Sequence, residues 1–352
     1  MGATVVSQTD LKPLIQRVVD GFELSLSEAE AALEIIMTGN ATPAQVGSFL
    51  TALRMRGETV EEIAGFAATM RRHALAVTLR DDPRPVVDTC GTGGDGADTF
   101  NVSTTAAFVV AGAGARVAKH GNRSATSKCG SADLLEGLGV AISASPAQVS
   151  ACIDEAGIGF MFAQAFHPAM KHVGPVRREL GIRTIFNVLG PVTNPASVRR
   201  QLIGVGNVEI ARKLAKVLAI LGCDRALVVS SADGLDEIAI SAATTIVECD
   251  NKSGEIRETV IHPSDFGLQL RALDEIKGGD VPTNVAITRA ILAGEHGARR
   301  DATLINAGAA LYAAGIAASI GDGIQMGAES IDSGRASEAL DRLVATSNRA
   351  IA

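Results

Sequence analysis

The chain has 352 residues, 47% of them hydrophobic and 20% charged, enough for about one to three domains with a large buried core. A net charge of −7 gives no basic field for nucleic acid, and 3% aromatic residues leave few stacking platforms. No apolar run of about 20 residues would span a bilayer, and no signal-peptide pattern opens the chain. Five scattered cysteines without a CxxC (Cys90, Cys129, Cys152, Cys223, Cys249) predict reduced thiols in a cytoplasm, not disulfides or a zinc site.

Residues 1 to about 75 read as helices only. Leu11, Leu14, Ile15, Val18 and Val19 form one helical stripe; Val46, Phe49, Leu50 and Leu53 form another, and Ile63, Phe66, Ala67 and Met70 a third. Capping boxes mark the starts: Ser25 with Glu28, Thr42-Pro43 with Gln45, Thr59 with Glu62. The apolar faces exceed what so few helices bury alone, which predicts an interface to the rest of the chain or to a second copy. The polar, proline-containing segment Leu79–Pro85 is the expected hinge.

Beyond it, strands and helices alternate. Strands are predicted at 85–89, 116–119, 159–162, 184–187, 202–205, 226–230 and 244–249, with helices in most gaps, including one capped by Ser145 with Gln148 and another at 208–221. An Ala/Gly-rich helical tail runs from Asn284 to the end. The fold class is therefore α/β: a mainly parallel sheet covered on both faces, with ligands at the carboxyl ends of its strands, preceded by a small all-helical domain.

The first predicted strand runs into Gly91-Thr92-Gly93-Gly94-Asp95-Gly96 and then Asn101-Val102-Ser103-Thr104. Bare backbone, followed by hydroxyls at a helix start, suits a phosphate. The letters also fit the dinucleotide fingerprint. That fingerprint needs a helix opening directly from the glycines and an acidic residue after the next strand. Here the helix starts only near Ser103, and no Asp or Glu lies between Asp98 and Asp133; no Gly-Lys-Ser/Thr follows either, so this is not a P-loop.

Three further clusters carry chemistry. Lys119-His120-Gly121-Asn122-Arg123-Ser124-Ala125-Thr126-Ser127-Lys128, continuing to Ser131 and Asp133, packs cations and hydroxyls at a strand end. Taken singly these residues fit a solvated loop equally well; together they fit a grip on several phosphates, with Lys119 in direct contact. His167 and His172, five apart, share no helical face, which argues against a metal. Of the adjacent Arg177 and Arg178, about 100° apart on a helix, one is solvated and the other is free to clamp a carboxylate. Asp236-Glu237 follows a strand end, where carboxylates are commonly surface residues; beside a phosphate-rich ligand they suit Mg2+.

Taken in order across nearly the whole chain, the glycine loop, Asn101–Thr104, Lys119–Arg123, His167-Pro168 with Val176-Arg177-Arg178, Asn187–Pro191 with Asn194-Pro195, and Asp236-Glu237 resemble the anthranilate phosphoribosyltransferase family. The resemblance implies a nucleoside-phosphorylase-like fold, with a helical domain at 1–80 joined by part of 168–195 and a catalytic α/β domain at 81–352. It also implies a homodimer through the helical domain, and transfer of the phosphoribosyl group of phosphoribosyl pyrophosphate (PRPP) to anthranilate in tryptophan synthesis, with two Mg2+ ions.

By that resemblance, PRPP is held by Gly91, Gly94, Asp95, Thr99, Asn101, Val102, Ser103, Thr104, the stretch from Lys119 to Ser127, and Ser131. Ser103 ligates one Mg2+, and Asp236 with Glu237 the other. Anthranilate meets Gly91, Asn122, His167 and Arg177, the family pattern choosing Arg177 over Arg178. Lys119, Asn122 and Arg177 are the expected catalytic residues. The chemistry implied is a dissociative displacement with oxocarbenium character, driven by positioning and electrostatics under hinge closure. Two other classes stay open at this point: a pyrimidine-nucleoside-phosphorylase-like enzyme, and a non-catalytic homologue binding nucleic acid through the Lys119–Lys128 loop.

Overall fold

The structure is a computed structural model that describes residues 10–124 and 127–349. The chain divides into two compact units: residues up to Leu75 with Phe166–Thr193, and Ala76–Ala165 with Asn194 onward.

The first unit is built on helices α1 (Lys12–Val19), α2 (Leu26–Met37), α3 (Pro43–Arg56) and α4 (Val60–His73). All three predicted capping boxes form, each side chain accepting from the backbone three residues on while the N3 residue reaches back. The second and third stripes are buried, and Phe49 meets Phe66 edge to face at 6.1 Å. The first stripe is narrower than its spacing implied, because Val19, like Phe22, stands exposed. Glu62 is fully buried without strain: it accepts the N–H groups of Leu24 (2.8 Å) and Thr59 (2.9 Å) and pairs with Arg56.

The second unit carries one seven-stranded sheet in the order β3-β2-β1-β4-β5-β6-β7. The strands are β1 (Val86–Gly91), β2 (Arg116–Gly121), β3 (Ile158–Phe162), β4 (Arg200–Gly204), β5 (Arg225–Ser231), β6 (Thr244–Asp250) and β7 (Glu255–Ile261). The strands β3, β2, β1, β4 and β5 pair parallel, β6 pairs antiparallel with β5, and β7 antiparallel with β6. Helix α5 (Val102–Gly112) is buried along almost its whole length, and the tail helices from Val281 to Ser347 pack into the same core.

Two elements depart from expectation. Residues 184–187 are not a strand: the Thr184 N–H donates to the Asn187 side chain and the Asn187 N–H returns to the Thr184 carbonyl, both at 2.9 Å, turning the chain into the short helix Phe186–Leu189. β7 was not anticipated. Its Glu255, Arg257 and Glu258 are exposed on the sheet's edge, where charge discourages further pairing and hides the apolar alternation that marks a strand.

Strand order reverses on either side of β1 and β4, since β1 is followed outward by β2 and β4 by β5. In such a sheet ligands collect beyond the carboxyl ends at that reversal. Gly91 and Gly204 face one another there in register, at the last rung of the β1–β4 ladder.

Candidate active site

The glycine loop follows β1 directly, with Gly93, Gly94 and Gly96 all at positive φ, a conformation that side chains resist. The loop is closed by the segment after β5. Asp236 lies over the facing glycines: a Cβ on Gly91 would sit 2.5 Å from its Oδ2, and one on Gly204 would overlap its carbonyl. Its Oδ2 accepts the Gly93 N–H at 2.6 Å, and Glu237 Oε1 accepts the Ser103 N–H at 3.2 Å at the start of α5. Asn306, fully buried on the helix Ala298–Ala314, holds both the N–H and the carbonyl of Ile238 and so fixes this segment from behind.

Lys119 is 2% exposed; its ammonium donates to the Thr89 carbonyl and lies 3.4 Å from the Ser103 hydroxyl. The structure thus turns Lys119 inward beneath the helix start, so its charge reaches a ligand here as a field and through Ser103. Asp88 is its counter-charge. Fully buried, Asp88 accepts the His120 N–H (3.2 Å) and the Asn194 amide (2.8 Å), and Asn194 also donates to the Ala118 carbonyl.

The charges here are under tension. Burial raises the Asp236 carboxyl to about 7, with Asp95 adding repulsion. Burial followed by repulsion from Asp236 raises Glu237 to about 8. Burial lowers the Lys119 ammonium against the pull of Asp88. Two half-buried carboxyls that resist ionisation would be relieved by a cation beside this phosphate-suited loop. Among the described residues no three His, Cys, Asp or Glu side chains gather as a metal cluster.

The remaining expected PRPP residues fall into groups. Asp95 is half-buried, with Oδ1 accepting the Ala97 N–H at 3.1 Å; Thr99 bridges to Lys277, and Thr104 is buried in α5. Val102 is turned away: its side chain is in the core and its N–H donates to the Phe100 carbonyl. Arg123 is also committed elsewhere, pairing with Asp133 at 2.7 Å and Glu136 at 2.9 Å. The Asn122 side chain is exposed near Gln164, and its carbonyl accepts the Ser131 hydroxyl. Ser131 fills the space above Gly121, and Ser124 bonds Ser127 at 2.7 Å. Ala125 and Thr126 lie outside the described residues.

On the helical unit, Arg177 lies on the helix Gly174–Leu180, half-buried, its guanidinium 5.4 Å above the Phe186 ring. Among the described residues no carboxylate pairs with it, whereas Arg178 is exposed. His167 is 6% exposed, and burial lowers its imidazole to about 4, so it is neutral at physiological pH. Sequence reasoning passed over Asp88, Asn194 and Asn306. Only the Asn194-Pro195 pair was visible, as a motif without a task.

Two family models cover most of the chain: the helical bundle domain of a glycosyl transferase family matches residues 12–74, and the a/b domain of a glycosyl transferase family matches 83–337. Anthranilate phosphoribosyltransferase from Thermomicrobium roseum is 53% identical over 336 residues, 95% of this chain and 96% of that one. The crystal structure of the enzyme of that name from Thermus thermophilus superposes with a TM-score of 0.89 at 42% identity, covering 95% of this chain and 99% of its own. The Saccharomyces cerevisiae enzyme, solved in complex with PRPP and Mg, gives a TM-score of 0.87 at 30% identity over 97% and 98%. It is also solved in complex with 4-fluoroanthranilate, at 30% identity, a TM-score of 0.85 and coverage of 96% and 97%.

Proposed function

The chain belongs to the anthranilate phosphoribosyltransferase family of pentosyl-transferring enzymes, and on that premise we propose how its residues transfer the 5-phosphoribosyl group of PRPP to the amine of anthranilate. The observation that carries the reading is the pair Asp236 and Glu237, lying respectively on the glycine-loop backbone and on the first turn of α5. A sugar diphosphate at the sheet's reversal point would meet bare backbone and a helix start together, within the field of the buried Lys119 ammonium.

Asp236 and Glu237 would hold one Mg2+ and the Ser103 hydroxyl a second. When bound, the metal neutralises the pyrophosphate and makes it a better leaving group. Lys119 adds fixed positive charge beneath the helix start, where the departing group gathers negative charge. Arg177 would orient anthranilate through its carboxylate, since its guanidinium is held by an aromatic face and, among the described residues, is unmatched by an acid; Gly91, Asn122 and His167 would complete the acceptor's surroundings. No side chain need act as nucleophile: the acceptor's own amine attacks an anomeric carbon with oxocarbenium character as pyrophosphate leaves.

The enzyme is expected to serve tryptophan synthesis as a homodimer in the cytoplasm. Exposed Val19, Phe22 and Met55 on the helical unit supply apolar surface for a partner copy, and light scattering showing a monomer at working concentration rejects that assignment. None of the five cysteines is in a disulfide, and no helix among the described residues is long and apolar enough to cross a membrane. Loss of anthranilate fluorescence on adding PRPP and Mg2+ tests the activity. A protein that leaves anthranilate unconsumed but cleaves thymidine with phosphate would overturn it.

A further inference from the structure

The helix Val281–Leu292 supplies none of the site residues, yet its Asn284 is 2% exposed and joins three segments. Asn284 Oδ1 accepts the Gly279 N–H at 2.8 Å, and its Nδ2 donates to Asn101 Oδ1 at 3.0 Å. Asn101 Nδ2 then donates to the Cys129 carbonyl at 3.0 Å. The relay ends at both sides in backbone groups of fixed sense, a donor at Gly279 and an acceptor at Cys129. Both amides are therefore oriented one way only.

Asn101 occupies the N-cap of α5 but makes no side-chain cap bond there. The usual use of an asparagine at that position is given up for the relay. The Gly279 end is tied in as well, since Gly278 donates to the Asp98 carbonyl at 2.9 Å and Phe100 to that of Ile276 at 3.0 Å. Thr99, Ser127, Lys128, Lys277 and Asn284 line a cavity of about 200 Å3 between these segments.

We propose that Asn284 is a positioning residue for the phosphoribosyl donor. Through Asn101 it holds the start of α5 and the Ser127–Gly130 loop at a fixed separation, so that both stand arranged before PRPP arrives. The inference rests on the assignment of these two segments to PRPP.

Asn284→Asp keeps the acceptor for Gly279 and removes the donor to Asn101, with almost no change of volume; Asn284→Ala removes both. For the full chain assayed with Mg2+, the KM for PRPP should rise about tenfold, the effect of one lost buried hydrogen bond. The KM for anthranilate should stay within about twofold, and kcat should move less than KM. Asn101→Ala should raise the PRPP KM as well, and adding Asn284→Ala to it should add little, because one relay is already broken. An unchanged PRPP KM, an equal rise for both substrates, or independent multiplication of the two effects overturns the proposal. Should the alanine variant fail to fold, the near-isosteric Asn284→Asp decides. Failure of the unsubstituted protein to consume anthranilate would instead reject the assigned activity and is seen before any variant is compared.

Discussion

Asn194→Ala should be among the most destabilising single changes outside the ligand-contacting residues. Asn194 is 1% exposed and donates to two acceptors that water does not reach, the Asp88 carboxylate and the Ala118 carbonyl, each at 2.8 Å. Its own oxygen accepts the Ala196 N–H at 2.8 Å. Truncation takes the amide donor from both acceptors, leaving Asp88 its His120 N–H, at about 1–3 kcal/mol each with the charged one toward the upper end; the half-exposed Ala196 N–H can turn to water and adds little. The sum is roughly 4 kcal/mol, and at about 2–4 °C per kcal/mol for a domain of this size the transition should fall by roughly 10 °C. Scanning calorimetry of the full chain at pH 7.5 measures it. A fall under about 3 °C would show that Asp88 finds another partner, and the argument that Asn194 holds the Asp88–Lys119 pair in place would then fail.

Replacing Asp236 and Glu237 together by alanine should lower turnover by about 10²-fold or more and weaken the Mg2+ requirement; an unaltered metal dependence rejects their role. Arg177→Ala should raise the KM for anthranilate by at least tenfold, the worth of about one charge-assisted bond, and raise that for PRPP much less; equal effects remove it from the acceptor. Burial holds the His167 imidazole at about 4, below its ordinary value near 6.5, so the folded chain binds fewer protons than the unfolded one between those values. Its contribution is complete above pH 6.5 and is lost as pH falls through 4, amounting to about 3 kcal/mol. Thermal melts of His167→Gln should therefore lose less stability between pH 7 and pH 4.5 than the unsubstituted chain, and parallel pH profiles count against it.

What the sequence made legible was mostly local. The capping boxes could be found because both partners of each lie three residues apart. The glycine loop, the Lys119 cluster and Asp236-Glu237 could be found because unusual residue types stand side by side. Edge strand β7 and the turn at Thr184 were missed or misread because short apolar patterns are ambiguous without their neighbours. The asparagines that hold the site escaped notice for a different reason. Asn194 meets Asp88 across 106 residues, Asn284 meets Asn101 across 183, and Asn306 meets Ile238 across 68. A neutral amide has no signature of its own until its distant partner is known. The inward turn of Lys119 and the pairing of Arg123 with Asp133 and Glu136 belong to the same class, since composition places a cation in a loop but not its direction.

The bare pair at the end of β1 and β4 constrains how the chain can vary. Position 204 touches no ligand in the chemistry set out above, yet even one methyl group there would overlap the Asp236 carbonyl. Saturation mutagenesis should therefore score Gly204 as intolerant as the carboxylates themselves, and a survey ranking residues by sensitivity alone would mistake this gap in the wall for part of the machinery.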